Sequence, residues 1–285
     1  MSGQQQRRVA AVTTPARFGA DGQVDGKAII IEPGRWDAHD PFLMMAEDWF
    51  STVGFDWHPH RGIETVTVVL DGELEHRDNT GGHGILGPGD VQWMTAGRGI
   101  VHSELARGGE GVHTLQLWLN LPAAAKMADP GYQDLRAADM PVRRGPGFEA
   151  LVYSGRSGDV IGPARNHVAT TMVDARLDPD ATFVQELPPG TACFAYVLAG
   201  AGRFGADATP ASAGRVVALA GPNDDDADEL GVVATSDGVR FLLFAGVPLR
   251  EPVVAYGPFV MNTEAQIKEA FADYRAGRFG PVPVT

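Results

Sequence analysis

The chain carries a single cysteine, Cys193, among 285 residues, so an internal disulfide is excluded and stability must rest on packing. It is also short of cations. With 23 Lys and Arg against 36 Asp and Glu the net charge is −13, which argues against nucleic acid or an anionic membrane as a partner found by charge alone. No apolar run reaches the ~20 residues of a spanning helix, and residues 1–14 hold no apolar stretch of the signal-peptide kind, so a cytoplasmic protein is expected. Long helical patterns are scarce as well. In their place 36 Gly and 20 Pro punctuate the sequence at short intervals. With 44% apolar residues the core is well supplied, in one large domain or two of moderate size.

Residues 64–70 are rich in β-branched side chains, with the turn signal Asp71-Gly72 directly behind them. Further short strand patterns fall at 27–31, 73–77, 91–95, 100–105 and 113–121, separated by turns such as Pro88-Gly89-Asp90. Strands at this spacing predict an all-β antiparallel sandwich or barrel. Residues 122–147, rich in Ala, Pro and Gly, read as a connector, and strand signals resume from 150 to about 246. There, residues 194–200 echo residues 65–72, so a duplicated barrel would account for the length. Near the end, Asn262 or Thr263 followed by Gln266 resembles a capping box, and Ile267, Ala270, Phe271 and Tyr274 fall on one helical face before Gly277.

Two short elements carry the chemistry. In His58-Pro59-His60 and in His102-Ser103-Glu104, ligand-type side chains stand two apart, and on an extended strand such residues project from the same face. Three imidazoles and one carboxylate suit a borderline divalent ion such as iron, manganese, nickel, copper or zinc, and are poor for calcium or magnesium. On a six-coordinate ion they leave two adjacent positions for water, substrate or dioxygen. A lone His-x-His is more often a packed strand than a ligand pair. The second pair, in a stretch punctuated like a barrel, makes the difference.

The remaining histidines read more blandly. His39, His83 and His113 have no ligand-type partner two residues away, His167 is isolated, and His76, with Glu73 and Glu75 nearby, reads as a solvated strand residue. Glu64 is open to two readings, a fifth ligand or an acceptor that holds an imidazole tautomer. Gly97-Arg98-Gly99 supplies unusual backbone angles for a sharp entry to the second ligand strand, with Arg98 a structural hydrogen-bond hub. The acidic run Asp224-Asp225-Asp226 with Asp228 and Glu229 reads as a solvated loop.

Two stretches resemble the signature motifs of the pirin family of the cupin superfamily. They are His58-Pro59-His60-Arg61-Gly62-Ile63-Glu64-Thr65-Val66 and the longer Pro88-Gly89-Asp90 through Gly97-Arg98-Gly99-Ile100-Val101-His102-Ser103-Glu104. Asp40-Pro41-Phe42-Leu43, Leu115-Gln116-Leu117-Trp118 and the tail Tyr256-Gly257-Pro258-Phe259 match too, so the resemblance runs from about residue 25 to the end. It implies two tandem cupin barrels (double-stranded β-helix, jelly-roll) with a short C-terminal helix: residues 1–135 with the metal, and 136–285 without ligands but with the helix and tail. It implies iron(II) as the ion, with nickel, copper, manganese or zinc as alternatives, on His58, His60, His102 and Glu104. It implies a quercetin 2,3-dioxygenase-type enzyme that takes a flavonol-like aromatic and dioxygen and releases carbon monoxide, with Glu104 also the catalytic proton acceptor. The other implied roles are a non-enzymatic, redox-responsive iron protein of transcription-cofactor type, with a protein partner, and another cupin reaction on a small acid.

Phe42, Phe55, Trp57 and Gln116 are the candidate substrate-pocket residues. Asp56-Trp57 departs from the expected pattern, and Trp57 is expected to narrow the pocket mouth. In the second half, setting Gly200 on Gly72 puts Glu186 and Pro188 where His58 and His60 stand, and no histidine follows His167, so no such metal site is expected there.

Overall fold

The computed structural model describes residues 5–51, 54–188, 190–221 and 228–282. It divides into two compact units, one of Ala16–Ala138 with Leu249–Thr285, the other of Met1–Pro15 with Asp139–Pro248. Each is built on a nine-stranded antiparallel sheet folded over its own core.

In the first unit the strands run Gly131–Leu135, Val91–Thr95, Ile63–Asp78, Ile100–Asn120, Phe42–Phe50, Gly26–Ile31, Ala16–Gly19 across the sheet. Phe55–His60 joins through Ile100–Asn120, and His83–Leu86 through Ile63–Asp78. The second unit repeats this order with Val9–Thr13, Val216–Leu219, Ala192–Phe204, Glu229–Gly246, Thr170–Leu177, Phe148–Ser154, Val142–Gly145, and Thr182–Glu186 takes the place of Phe55–His60. The duplication expected from the faint repeat is thus present in the strand order.

The two long strands of each unit bend at one shared joint. Gly72, at φ 77°, lies against the Gly111 carbonyl so closely that a Cβ would collide with it, and Gly200, at φ 67°, lies in the same way against Gly238. Only glycine meets both the positive φ and the close approach. Beyond the bend the same strand changes neighbours: Ile100–Asn120 pairs with Phe55–His60 through residues 100–104 and with Phe42–Phe50 through residues 112–119. One strand therefore serves both layers of the barrel.

A single cut at 135/136 does not describe the division. Val9–Thr13 pairs with Val216–Leu219 in the second unit, and the C-terminal segment belongs to the first. The reason is packing. Phe259, Met261, Ile267, Ala270 and Phe279 bury themselves around Val101, and the buried Arg61 pairs with Asp273 at 2.8 Å while its guanidinium lies 4.6 Å from the Phe279 ring. Lys126, also buried, donates to the carbonyls of Gly62 (2.8 Å) and Val260 (2.9 Å) and to Asn120 Oδ1 (2.5 Å), which engages all three of its protons.

The helix Glu264–Arg275 forms as its pattern predicts, with Thr263 and Gln266 completing the capping box and Ile267 and Ala270 buried. Residues 224–226 of the acidic run lie outside the described residues; Glu229 opens a strand. Among the described residues no helix is long and apolar enough to cross a membrane.

Candidate metal centre

Strand alternation aims the ligands. In Phe55–His60, His58 and His60 point one way, and the register sets His58 directly opposite His102 on Ile100–Asn120. The ring centroids of His58, His60 and His102 are separated by 4.9, 4.2 and 5.1 Å, and one nitrogen from each falls within 4.8 Å of the others. Glu104 joins a second group with His102 and His76, whose donor atoms also lie within 4.8 Å of one another. The two groups share His102.

Hydrogen bonds fix which nitrogens remain bare. His58 Nδ1 lies 2.7 Å from the Asp56 carbonyl and His60 Nδ1 3.3 Å from the Pro258 carbonyl. A carbonyl only accepts, so both Nδ1 atoms donate and both Nε2 atoms keep their lone pairs. His60 Nε2 and both nitrogens of His102 are buried without a hydrogen-bond partner among the described residues. A buried polar atom left unpaired costs about 1–3 kcal/mol, so a cluster of them facing one point fits an ion. Burial, and next the neighbouring His58 ring, push the pKa values of His60 and His102 well below the ordinary imidazole range. The rings are neutral at pH 7, the form that ligates.

Glu104 is held from both sides. Thr67 Oγ1 donates to its Oε1 at 3.1 Å and Gln116 Nε2 to its Oε2 at 2.8 Å. The Gln116 amide oxygen accepts from Trp118 Nε1 at 3.1 Å, and the Trp118 ring meets His60 edge-on at 5.0 Å. Gln116 therefore stands at the site as a clamp on the carboxylate.

Of the other pocket candidates, Trp57 and Phe42 fall elsewhere. Trp57 points away from the histidines because it alternates with them, and it packs on the cluster around Phe259 and Ile267 rather than at a mouth. Phe42 is 1% exposed in the core. Phe55 stays beside the histidines: it faces Glu104 in the strand register, and its ring lies 6.1 Å from that of His58 and 5.6 Å from that of Phe50. Glu64 is in neither ligand group; its carboxylate accepts from Trp93 Nε1 and Thr95 Oγ1, each at 2.9 Å. Arg98 extends an exposed side chain to Asp129 and is no hub, although its carbonyl accepts from Arg61 Nε at 2.6 Å.

The structure corrects the reading of His76. It is 0% exposed, sits opposite Glu104 in the strand register, and places Nε2 3.4 Å from Asp78 Oδ2. The acidic residues that made it look solvated, Glu73 and Glu75, alternate onto the other face of the strand, while Leu74 and Asp78 share its buried face. That alternation was the available signal. Burial alone would raise the Asp78 carboxyl, but hydrogen bonds from His76, Thr80 and Gly82 outweigh it and hold the pKa at about 2.

In the second unit the register gives the counterparts directly. Gln185 faces Leu230 as His58 faces His102, and Phe204 faces Val232 as His76 faces Glu104. The residues in place of His58 and His60 are thus Gln185 and Leu187, one position away from Glu186 and Pro188, because one more residue separates Leu187 from Gly200 than His60 from Gly72. None of these side chains is a histidine or a carboxylate.

The Pirin family model matches residues 33–119, and the Pirin C-terminal cupin domain matches residues 172–280. Pirin-like protein 2 of Arabidopsis thaliana is 43% identical over 246 residues, which cover 85% of this chain and 76% of that protein. Human pirin is 39% identical over 85% of this chain and 83% of its own length. A solved quercetin 2,3-dioxygenase from Acinetobacter baumannii aligns with a TM-score of 0.85 at 31% identity, over 98% of this chain and 100% of that one. With both halves matched in order, and a duplicated β-barrel beneath them, the chain belongs to the pirin family.

Proposed function

We propose that the first barrel binds a divalent transition ion, iron(II) foremost, on His58, His60, His102 and Glu104, and that the protein opens a flavonol-like ring with dioxygen, releasing carbon monoxide. The observation that carries this reading is the convergence of nitrogens from His58, His60 and His102, the last two buried with unpartnered nitrogens, next to the buried Glu104 carboxylate that groups with His102. When bound, the ion supplies a Lewis acid for the flavonol 3-oxygen and an electron partner for dioxygen.

The chain's own residues do the rest. Glu104 accepts the 3-hydroxyl proton, and the Thr67 and Gln116 bonds hold its two oxygens in place for the transfer. His58 is the half-exposed member of the set, whereas His60, His102 and Glu104 are each at most 2% exposed, so water is kept from all but one side. A pocket of about 290 Å³ lined by Trp36, Leu43, Met44, Trp118 and Val260 has an apolar wall suited to a flat aromatic guest; none of the four ligand residues lines it, and Trp118 links it to His60. The resemblance to a solved quercetin 2,3-dioxygenase supports the same substrate class.

The test is metal analysis of the purified protein, followed by oxygen uptake and carbon monoxide release with quercetin. Turnover with stoichiometric iron, lost in Glu104→Ala while the fold is kept, supports the enzyme. Stoichiometric iron with no oxygen uptake on any flavonol overturns it and leaves the iron-dependent regulator.

A further inference from the structure

Inside the first barrel, His76 has no part in the ligand set proposed above, yet it is as deeply buried as His102. Its Nε2 faces the Asp78 carboxylate at 3.4 Å. An ionised carboxylate only accepts, so Nε2 carries the proton and Nδ1 is left with a lone pair. That Nδ1 is buried and has no partner among the described residues, and neither does either nitrogen of His102. The two rings stand 5.3 Å apart between centroids at an interplanar angle of 43°, and donor atoms of His76, His102 and Glu104 lie within 4.8 Å of one another. A small ring rotation or one buried water closes such a span.

Each His102 nitrogen needs something different. One must be bare to bind an ion, and the other then carries a hydrogen that needs an acceptor. Glu104 takes bonds from Thr67 and Gln116 and is itself assigned to the ion. His76 Nδ1 is a buried acceptor beside His102 that has no partner among the described residues. We propose that His76 is a positioning residue of the metal centre: standing between Asp78 and His102, it receives the His102 N–H and so decides which His102 nitrogen faces the ion. This rests on the metal-centre reading above.

The second barrel supplies the variant that tests it. Phe204, fully buried, occupies the position of His76, four residues after the shared glycine joint and opposite Val232 as His76 is opposite Glu104. His76→Phe is therefore expected to fold. Its affinity for nickel(II), measured by calorimetry on metal-free protein, is expected to fall about 10- to 100-fold, the usual loss when the hydrogen-bond partner of a ligating histidine is removed. Long-range proton–nitrogen NMR gives the second readout: metal-free wild type should show His76 protonated on Nε2 and bare on Nδ1. Zinc-loaded wild type should show a protected His102 N–H that His76→Phe loses.

Nickel affinity unchanged in His76→Phe, His76 protonated on Nδ1, or His76 itself coordinating zinc would each overturn the proposal. If wild type binds neither nickel nor zinc, the metal reading fails and takes this proposal with it, whereas wild-type binding that is unchanged in His76→Phe overturns this proposal alone.

Discussion

The two barrels share a strand order and a glycine joint but fill their interiors in opposite ways. Where the first has His58, His60, His76, His102 and Glu104, the second has Gln185, Leu187, Phe204, Leu230 and Val232. Thr67 and Gln116, which clamp Glu104, face each other across the same strand pair as Ala195 and Leu243 do. Outside, the likeness returns. Glu47 pairs with His113 at 2.8 Å, and at the matching position Asp174 pairs with Arg240 at 2.7 Å. A carboxylate bonded to a basic side chain survives at this matching position in both units, whereas the His and Glu cluster exists in one alone. The second unit closes the same strand order over an apolar interior, so the fold itself does not require the polar set of the first.

This contrast can be broken most directly by writing the second interior into the first. His102→Leu, the residue at the matching position, is expected to abolish stoichiometric metal binding by elemental analysis. Metal-free protein should hold or gain stability in urea, because two unpaired buried nitrogens disappear. The converse is a loss of packing. Phe204→Ala empties a fully buried site against Phe241 and should cost about 3–5 kcal/mol in urea unfolding, with metal content of the first barrel unchanged.

A third variant uses pH. Asp48, buried inside the first barrel, matches Ala175 in the second, and its pKa is raised to about 6 by burial foremost, against the pull of Lys27 3.8 Å away. Between its unfolded value near 4 and about 6 the folded state binds the extra proton, so this group's destabilising effect is absent below that window and complete above it. Asp48→Asn should therefore stabilise metal-free protein at pH 7 by roughly 2 kcal/mol more than at pH 4. An equal effect at the two pH values would remove Asp48 from the account. The smallest effect is expected at the C-terminal helix: Thr263→Ala removes half of its capping box and should cost about 1 kcal/mol of stability in urea.

Much of the site was legible because a strand writes its faces two residues apart. His-x-His and His-x-Glu announce themselves at that spacing, and the register lays His58 against His102. Three things were not legible. His76 was masked by acidic neighbours that belong to the outer face. The counterparts in the second barrel slipped by one, since a constant offset from Gly72 and Gly200 ignores the extra residue in the second connection. The clamp on Glu104 from Thr67 and Gln116, and the Pro258 carbonyl at His60, join residues 37, 12 and 198 positions apart, and no local pattern records such meetings.

The last of these bonds has a consequence for the order of events in the cell. A ribosome has finished every histidine of the first barrel well before the tail emerges, yet His60 receives its orienting carbonyl from Pro258, and Arg61 and Lys126 their partners from Asp273 and Val260. The orientation of His60 thus waits for the tail, and a protease that clips the tail would release His60 without cutting near any of the candidate ligands.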